Sequence, residues 1–271
     1  MNKLYAKYIK QDTLPTLFCP GCGNGIVQHA AMEAFDRLGI KDEVACVSGI
    51  GCSSWIPCYY KLDCLHTMHG RAIAFAEGLK LAQPDKKIVV FTGDGDCLAI
   101  GGNHLLHASS RNIDLTVIMV NNFIYGMTGG QKSPETPKGA KTKTSPYGSI
   151  DEPVKGCELA MAMGAGYVAR WTTAHPVQLA KAIAEGIEYR GFSFIEVLSQ
   201  CPVQAGKNVY GEKEPAKILK KYREITYIKQ QEGAKEPEGK IRIGVLKHDR
   251  AAEEYIDKME RKFAEQGIKR G

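Results

Sequence analysis

Continuous apolar runs rich in Val, Ile and Phe alternate with helix-spaced segments through the first 205 residues of this 271-residue chain. Such runs have no polar face to offer water, so they need cover on both sides. A parallel sheet between two layers of helices provides it. Residues 44–48 (VACVS), 88–93 (IVVFTG), 115–120 (LTVIMV) and 192–199 (FSFIEVLS) read as strands. Residues 25–38, 70–82, 101–111 and 175–190 read as helices, the first closed by Gly39 and the second stopped by Pro84. The alternation predicts an α/β fold with a doubly wound, mostly parallel sheet.

Two segments depart from this pattern. Residues 128–153 are rich in Thr, Lys, Pro, Ser and Gly without periodicity, and a loop that long inside a compact domain is usually functional or disordered. Residues 207–271 hold 17 Lys and Arg against 12 Asp and Glu, whereas the rest of the chain is nearly balanced. The expected organisation is therefore a domain over 1–206 and a charged, mainly helical C-terminal extension over 207–271, with one helix at 249–266. Its charge suits a solvated face or an acidic partner. Nucleic acid is not expected, because aromatics are not interleaved with the basic residues and no binding signature is present. The sequence shows no apolar run near the roughly 18–20 residues of a membrane span. MNKLYAKYIKQDTLP lacks the apolar stretch of a signal peptide, so a cytoplasmic location is expected.

Gly93-Asp94-Gly95 directly follows the strand IVVFT, and Asn121-Asn122 directly follows LTVIMV, with 25 residues between the two groups. Both sets then sit at the carboxyl ends of strands, where doubly wound sheets bind ligands. The intervening segment has the length of a crossover helix, so Asp94 and Asn122 can converge. One carboxylate and one amide oxygen, completed by a backbone carbonyl and phosphate oxygens, suit octahedral Mg²⁺. The glycines let backbone N–H groups approach a phosphate at a helix start.

Nine cysteines are many for this length. Cys19 and Cys22 form a C-x-x-C pair just before a helix, readable as a redox dithiol, half a metal site or chance. No strand precedes the pair, as a thioredoxin-like motif requires. No second C-x-x-C exists to complete a zinc ribbon. An iron–sulfur cluster needs four thiolates that need not be close in sequence. Cys52, after VACVS, and Cys201, after FIEVLSQ, lie at strand ends beside the candidate cofactor loops.

The segment GDGDCLAIGGNHLLHASSRNIDLTVIMVNNFIYGMTGGQKSPETP (93–137) resembles the β subunit of the 2-oxoacid:ferredoxin oxidoreductases, a thiamine-diphosphate-binding family. So do FCPGCGNG (18–25), SGIGCSSWIPCYY (48–60) and HTMHGRAIAFAEGLKLA (66–82); the resemblance covers about residues 15–205. It implies that Asp94 and Asn122 bind Mg²⁺ through side chains and Ile124 through its carbonyl. It implies that Gly95, Asp96, Gly126 and Met127 line the diphosphate. Ile50, Gly51, Cys52, Ser53 and His69 would contact the cofactor. Cys19, Cys22, Cys52 and Cys201 would ligate one 4Fe-4S cluster. Cys46, Cys58, Cys64, Cys97 and Cys157 are then left as small core residues, and His66, His104 and His107 as structural.

The activity implied is oxidative decarboxylation of a 2-oxoacid with coenzyme A as co-substrate and ferredoxin as electron acceptor. Partners implied are an α subunit with the pyrimidine-binding and substrate half, small ferredoxin-like γ and δ subunits, and ferredoxin. The glutamate that activates the thiamine belongs on the α subunit, so no catalytic residue is assigned to this chain. GCSS, IYGMTGGQ and SPETP look closest to the 2-oxoglutarate type, giving succinyl-CoA and CO₂. Trp55 stands where that type leads one to expect a basic residue. Pyruvate, branched-chain or aryl 2-oxoacids are the alternatives. A non-oxidative thiamine enzyme subunit and a zinc-stabilised structural subunit are the competing classes.

Overall fold

The computed structural model describes residues 3–229 and 235–268. Six strands run parallel: β1 (Val44–Ser48), β2 (Asp63–His66), β3 (Lys87–Gly93), β4 (Leu115–Asn121), β7 (Tyr167–Thr172) and β8 (Phe192–Leu198). A two-residue hairpin pair, β5 (Ile124–Tyr125) and β6 (Gln131–Lys132), stands apart from them. β9 (Thr226–Ile228) and β10 (Ile241–His248) extend the sheet, giving the order β2-β1-β3-β4-β8-β7-β10-β9. β10 is antiparallel to β7. The α/β, mostly parallel architecture read from the sequence is the one found.

Side chains on a strand alternate between faces, and the two cores follow that alternation. Val89 and Phe91 of β3 and Ile118 and Val120 of β4 pack into one core. It is covered by α1 (Lys3–Tyr8), α2 (Asn24–Leu38) and α6 (Pro176–Glu188). Val90, Val117 and Met119 face the other core, under α3 (Ala72–Ala82), α4 (Gly102–Arg111) and α5 (Gly156–Ala162). With both faces buried, the central strands need no polar side, which is why their sequences read as unbroken apolar runs.

Beyond residue 206 the sequence reading expects helices, and the structure adds strands to them. α7 (Pro215–Ile225) places Ile218 and Tyr222 in a third cluster with Leu198, Cys201 and Tyr210, over the carboxyl end of the sheet. α8 (Tyr255–Glu265) is shorter than the helix expected at 249–266. It is tied to the sheet by Glu254, whose Oε1 accepts from Asp114 N (3.0 Å) and whose Oε2 accepts from Ile256 N (2.6 Å). Residues 230–234 and 269–271 of the extension lie outside the described residues. Among the described residues, no helix is long and apolar enough to cross a membrane.

Candidate active site

The loops that leave β1, β3 and β4 meet at the carboxyl edge of the sheet and enclose a cleft of about 80 Å³. Asp94, Asn122 and Ile124 line it, as do Gly95, Asp96, Gly126 and Met127. Ile50, Gly51, Cys52, Ser53 and His69 line it as well. Every residue expected at the Mg²⁺ and diphosphate is therefore brought to one place. The tight fit explains the glycine of the GDG turn: a Cβ on Gly95 would stand 2.2 Å from the Tyr125 ring. The Tyr125 hydroxyl donates to Gly95 O at 3.1 Å and holds the two loops together.

Asp94 is buried, and burial pushes its carboxyl up to about 7 against the pull of hydrogen bonds from Ser133 and the local backbone. Ser133 Oγ donates to Asp94 Oδ2 at 2.5 Å. A carboxyl in this state gains from a nearby cation, which would restore its ionised form. Asn122 Oδ1 accepts from Ile124 N at 3.2 Å, a local turn, and the residue lines the same cleft as Asp94. Its neighbour Asn121 has a different task. It is fully buried and donates to Glu135 Oε2 (2.5 Å) and Glu196 Oε1 (2.9 Å).

Asp96 lines the cleft, but its carboxylate is spent on protein. Oδ1 accepts from His69 Nδ1 (2.5 Å), Gly70 N (2.7 Å) and Ile50 N (3.3 Å), while Oδ2 accepts from Thr92 Oγ1 (2.7 Å). One buried acid on the loop after β3 thus ties down the loops that follow β1 and β2. A carboxylate can only accept, so His69 donates to it from Nδ1. His66 and His104 have local partners, Ser48 Oγ (3.1 Å) and Arg71 (2.5 Å). Trp55 does not line the cleft; it tilts over His66 with ring centroids 5.9 Å apart.

The four cysteines expected at a cluster lie at and beside the cleft. A Cβ built on Gly126 would be 3.5 Å from Cys201 Sγ and 3.7 Å from Cys52 Sγ. The CPGC turn is docked against the end of β8 by Gly23 N donating to Gln200 O at 3.0 Å. Burial pushes the Cys22 thiol up to about 12 and Cys52 up to about 11, and Cys201 rises for the same reason. Charge on Cys19, Cys52 or Cys201 raises Cys22, charge on Cys19 or Cys201 raises Cys52, and charge on Cys19 raises Cys201, so the four thiols act on one another. Backbone N–H groups of Gln204 and Ala205 pull the Cys201 thiol back down. Among the described residues, no three His, Cys, Asp or Glu side chains are closed into a single-ion shell. A four-iron cluster spreads its thiolates more widely than one ion does, since each binds a different iron.

Two of the other five cysteines depart from expectation. Cys46, Cys97 and Cys157 are buried, but Cys64 is exposed and Cys58 half-buried. Cys64 lies on β2, an edge strand with all four residues exposed, so it cannot be a core residue.

The model of the thiamine pyrophosphate enzyme C-terminal TPP binding domain matches residues 49–197, the stretch that builds the cleft; thiamine pyrophosphate and thiamine diphosphate are one molecule. The 2-oxoglutarate synthase subunit KorB of Methanocaldococcus jannaschii is 55% identical over 243 residues, covering 88% of this chain and 89% of that one. The chain belongs to the β subunits of the 2-oxoacid:ferredoxin oxidoreductases. KorB of Archaeoglobus fulgidus, another such β subunit, is 46% identical over 96% of this chain and 95% of its own. A solved 2-oxoglutarate:ferredoxin oxidoreductase from Magnetococcus marinus, with 2-oxoglutarate, coenzyme A and succinyl-CoA bound, superposes with a TM-score of 0.88. It is 30% identical, and the match covers 98% of this chain and 91% of that chain.

Sequence reasoning overlooks several residues of this β subunit's site. Tyr125 and Thr128 line the cleft, and Ser133 touches Asp94. Behind Asn121 lies a buried network in which Arg170 Nε donates to Glu196 Oε2 at 2.7 Å. Arg170 interrupts the apolar pattern of β7, and that interruption was the one available signal.

Proposed function

We propose that this chain is the β subunit of a 2-oxoglutarate:ferredoxin oxidoreductase. It would act in the coenzyme A-dependent oxidative decarboxylation of 2-oxoglutarate to succinyl-CoA and CO₂, with ferredoxin reduced. One observation carries the reading: a single cleft collects the GDG loop, the NN loop and the Cys52 loop. The KorB relatives support the substrate assignment.

Asp94, Asn122 and the Ile124 carbonyl would hold Mg²⁺, an oxygen set matched to a hard cation. Gly95, Asp96, Gly126 and Met127 would border the diphosphate. Ile50, Gly51, Cys52 and Ser53 would contact the cofactor, and His69 would offer Nε2. Thiamine diphosphate, when bound, supplies an electron sink for decarboxylation. Cys19, Cys22, Cys52 and Cys201 would ligate a 4Fe-4S cluster, which takes electrons one at a time. Cys52 belongs to both sets, so the two groups would be neighbours. The chain's own work is to position, through Asp96, and to keep Asp94 dry enough for tight ion pairing.

The cleft is small for a whole thiamine cofactor, and Ile50 and Met127 on its walls are exposed. A second subunit would cover them and bring the pyrimidine half with its glutamate. Lys143, Lys207 and Lys213 rim a recess that includes Gln204, close in sequence to Cys201. That basic rim suits an acidic acceptor such as ferredoxin or a ferredoxin-like subunit. The test is to purify the complex from its cells without oxygen. Its reduction of a low-potential dye is then measured with coenzyme A and a panel of 2-oxoglutarate, pyruvate, branched-chain and aryl 2-oxoacids. 2-Oxoglutarate should give the highest kcat/KM. A preference for pyruvate or an apolar acid would overturn the substrate and turn attention to Trp55.

A further inference from the structure

The segment Ser133-Pro134-Glu135-Thr136-Pro137 has the composition of an exposed loop, yet Ser133, Glu135 and Thr136 are 2%, 6% and 0% exposed. Polar side chains enter an interior only where partners await them. Here each of the three reaches the cofactor loops or the strand that leads into them. Ser133 Oγ donates to Asp94 Oδ2 (2.5 Å). Thr136 Oγ1 donates to Phe123 O (2.6 Å), the carbonyl between Asn122 and Ile124. Glu135 Oε2 accepts from Asn121 Nδ2 (2.5 Å).

The segment is itself stiff. Ser133 N donates to Thr136 Oγ1 (2.9 Å), and Thr136 N donates back to Ser133 O (3.2 Å). From outside, Val154 N donates to Pro134 O (2.9 Å) and Gly156 N to Glu135 Oε1 (3.0 Å). Phe123 is held at φ 64°, a left-handed conformation that a bulky residue keeps only when its surroundings impose it. A closed, anchored turn therefore spans two loops that lie far apart in sequence.

We propose that the Ser133–Thr136 turn is a brace that sets the separation between Asp94 and the Asn122–Ile124 loop, and so the size of the divalent-cation site. The proposal rests on the magnesium reading given above. Mg²⁺ requires near-octahedral oxygens at about 2.0–2.1 Å, whereas Ca²⁺ accepts looser shells at about 2.3–2.6 Å. A rigid separation therefore favours the smaller ion. Ser133 and Thr136 are positioning residues: they act through Asp94 and Phe123, not on the cofactor.

The test uses the native complex, stripped by a chelator and refilled with thiamine diphosphate at increasing Mg²⁺ or Ca²⁺. The bound cofactor is measured after rapid filtration, so turnover does not enter. Loss of one charge-assisted hydrogen bond in Ser133→Ala should raise the Mg²⁺ requirement about tenfold. The Ca²⁺ requirement should rise much less, so discrimination between the ions narrows. Thr136→Val, nearly equal in volume, should act in the same direction and carries the test alone if Ser133→Ala does not fold. Ser133→Thr and Thr136→Ser keep the hydroxyls and should restore discrimination. Unchanged discrimination, or equal weakening for both ions, would overturn the brace while leaving the cofactor site standing. A parent complex that binds no thiamine diphosphate with either ion would instead overturn the site reading itself.

Discussion

At the residue scale, burial shifts most acids of the site, and the shifts differ by neighbour. Glu135 is pushed up to about 10, first by burial and then by the charges of Glu196 and Asp94. Glu196 is buried too, but the Arg170 guanidinium 2.7 Å away and hydrogen bonds from Asn121, Arg170 and Cys157 together outweigh burial and hold it below the ordinary carboxylate range. Glu135 therefore keeps its proton in the folded chain, whereas in the unfolded chain it loses it above about pH 4.3. The unfolded state binds fewer protons across that window, so Glu135 makes stability fall as pH rises through it. Glu135→Gln cannot titrate. Its melting temperature relative to the parent should improve steadily from about pH 5 to about pH 8 by scanning calorimetry, whatever the constant offset. Parallel profiles would contradict the assignment. The cysteines give a sharper contrast. Cys52→Ser should lower iron content and visible absorption, because a hydroxyl is a poor iron ligand at neutral pH. Cys58→Ser and Cys64→Ser should leave both unchanged, since β2 and its preceding turn lie away from the four gathered thiols. Iron analysis of the three variants decides the matter.

At the element scale, the extension is bound into the sheet. β10 pairs with β7, and Glu254 caps α8 while satisfying Asp114 N. Glu254→Ala removes the cap and strands a buried donor, and should cost about 1–2 kcal/mol in a denaturant titration. A loss within error would show that α8 does not depend on this contact. The elements legible in the sequence are those whose surroundings are uniform. β1, β3, β4 and β8 are buried on both faces, and their apolar runs mark their ends to within a residue or so. β7 escapes notice because Arg170 breaks its run, and its ion pairs to Glu158 and Glu196 exist only in three dimensions. β2, an edge strand, and β10, next to the other edge, escape because both leave side chains in water, which erases the apolar signal. The candidate site divides the same way. Gly95, Asp94 and Asn122 are legible because GDG and NN each follow a buried strand at a crossover's separation, a pairing far more specific than either turn alone. Ser133, Glu135 and Thr136 look like any polar loop until their burial is known.

At the scale of the whole molecule, the cleft holds one half of what thiamine chemistry needs. A thiamine site requires a second α/β half for the pyrimidine, on the order of a domain's length. Here the described residues form one sheet with its helices, and a second copy repeats the same half. The chain purified alone and reconstituted with iron, sulfide, Mg²⁺ and thiamine diphosphate should therefore show no 2-oxoacid oxidation, and should gain it when the α subunit is added. Ferredoxin reduction by the complex should slow as salt rises, because screening weakens attraction between an acidic carrier and the Lys143, Lys207 and Lys213 rim. Rates indifferent to ionic strength would remove that rim from the electron path. The central claim is that Asp94 anchors the cofactor in this subunit. It is tested by 2-oxoglutarate- and coenzyme A-dependent dye reduction, with bound thiamine diphosphate and iron measured, in the native complex and its Asp94→Ala variant. The parent should turn over with cofactor and iron both present, while the variant should lose cofactor and activity and keep its fold and iron. Full activity with normal cofactor content in Asp94→Ala would contradict the account.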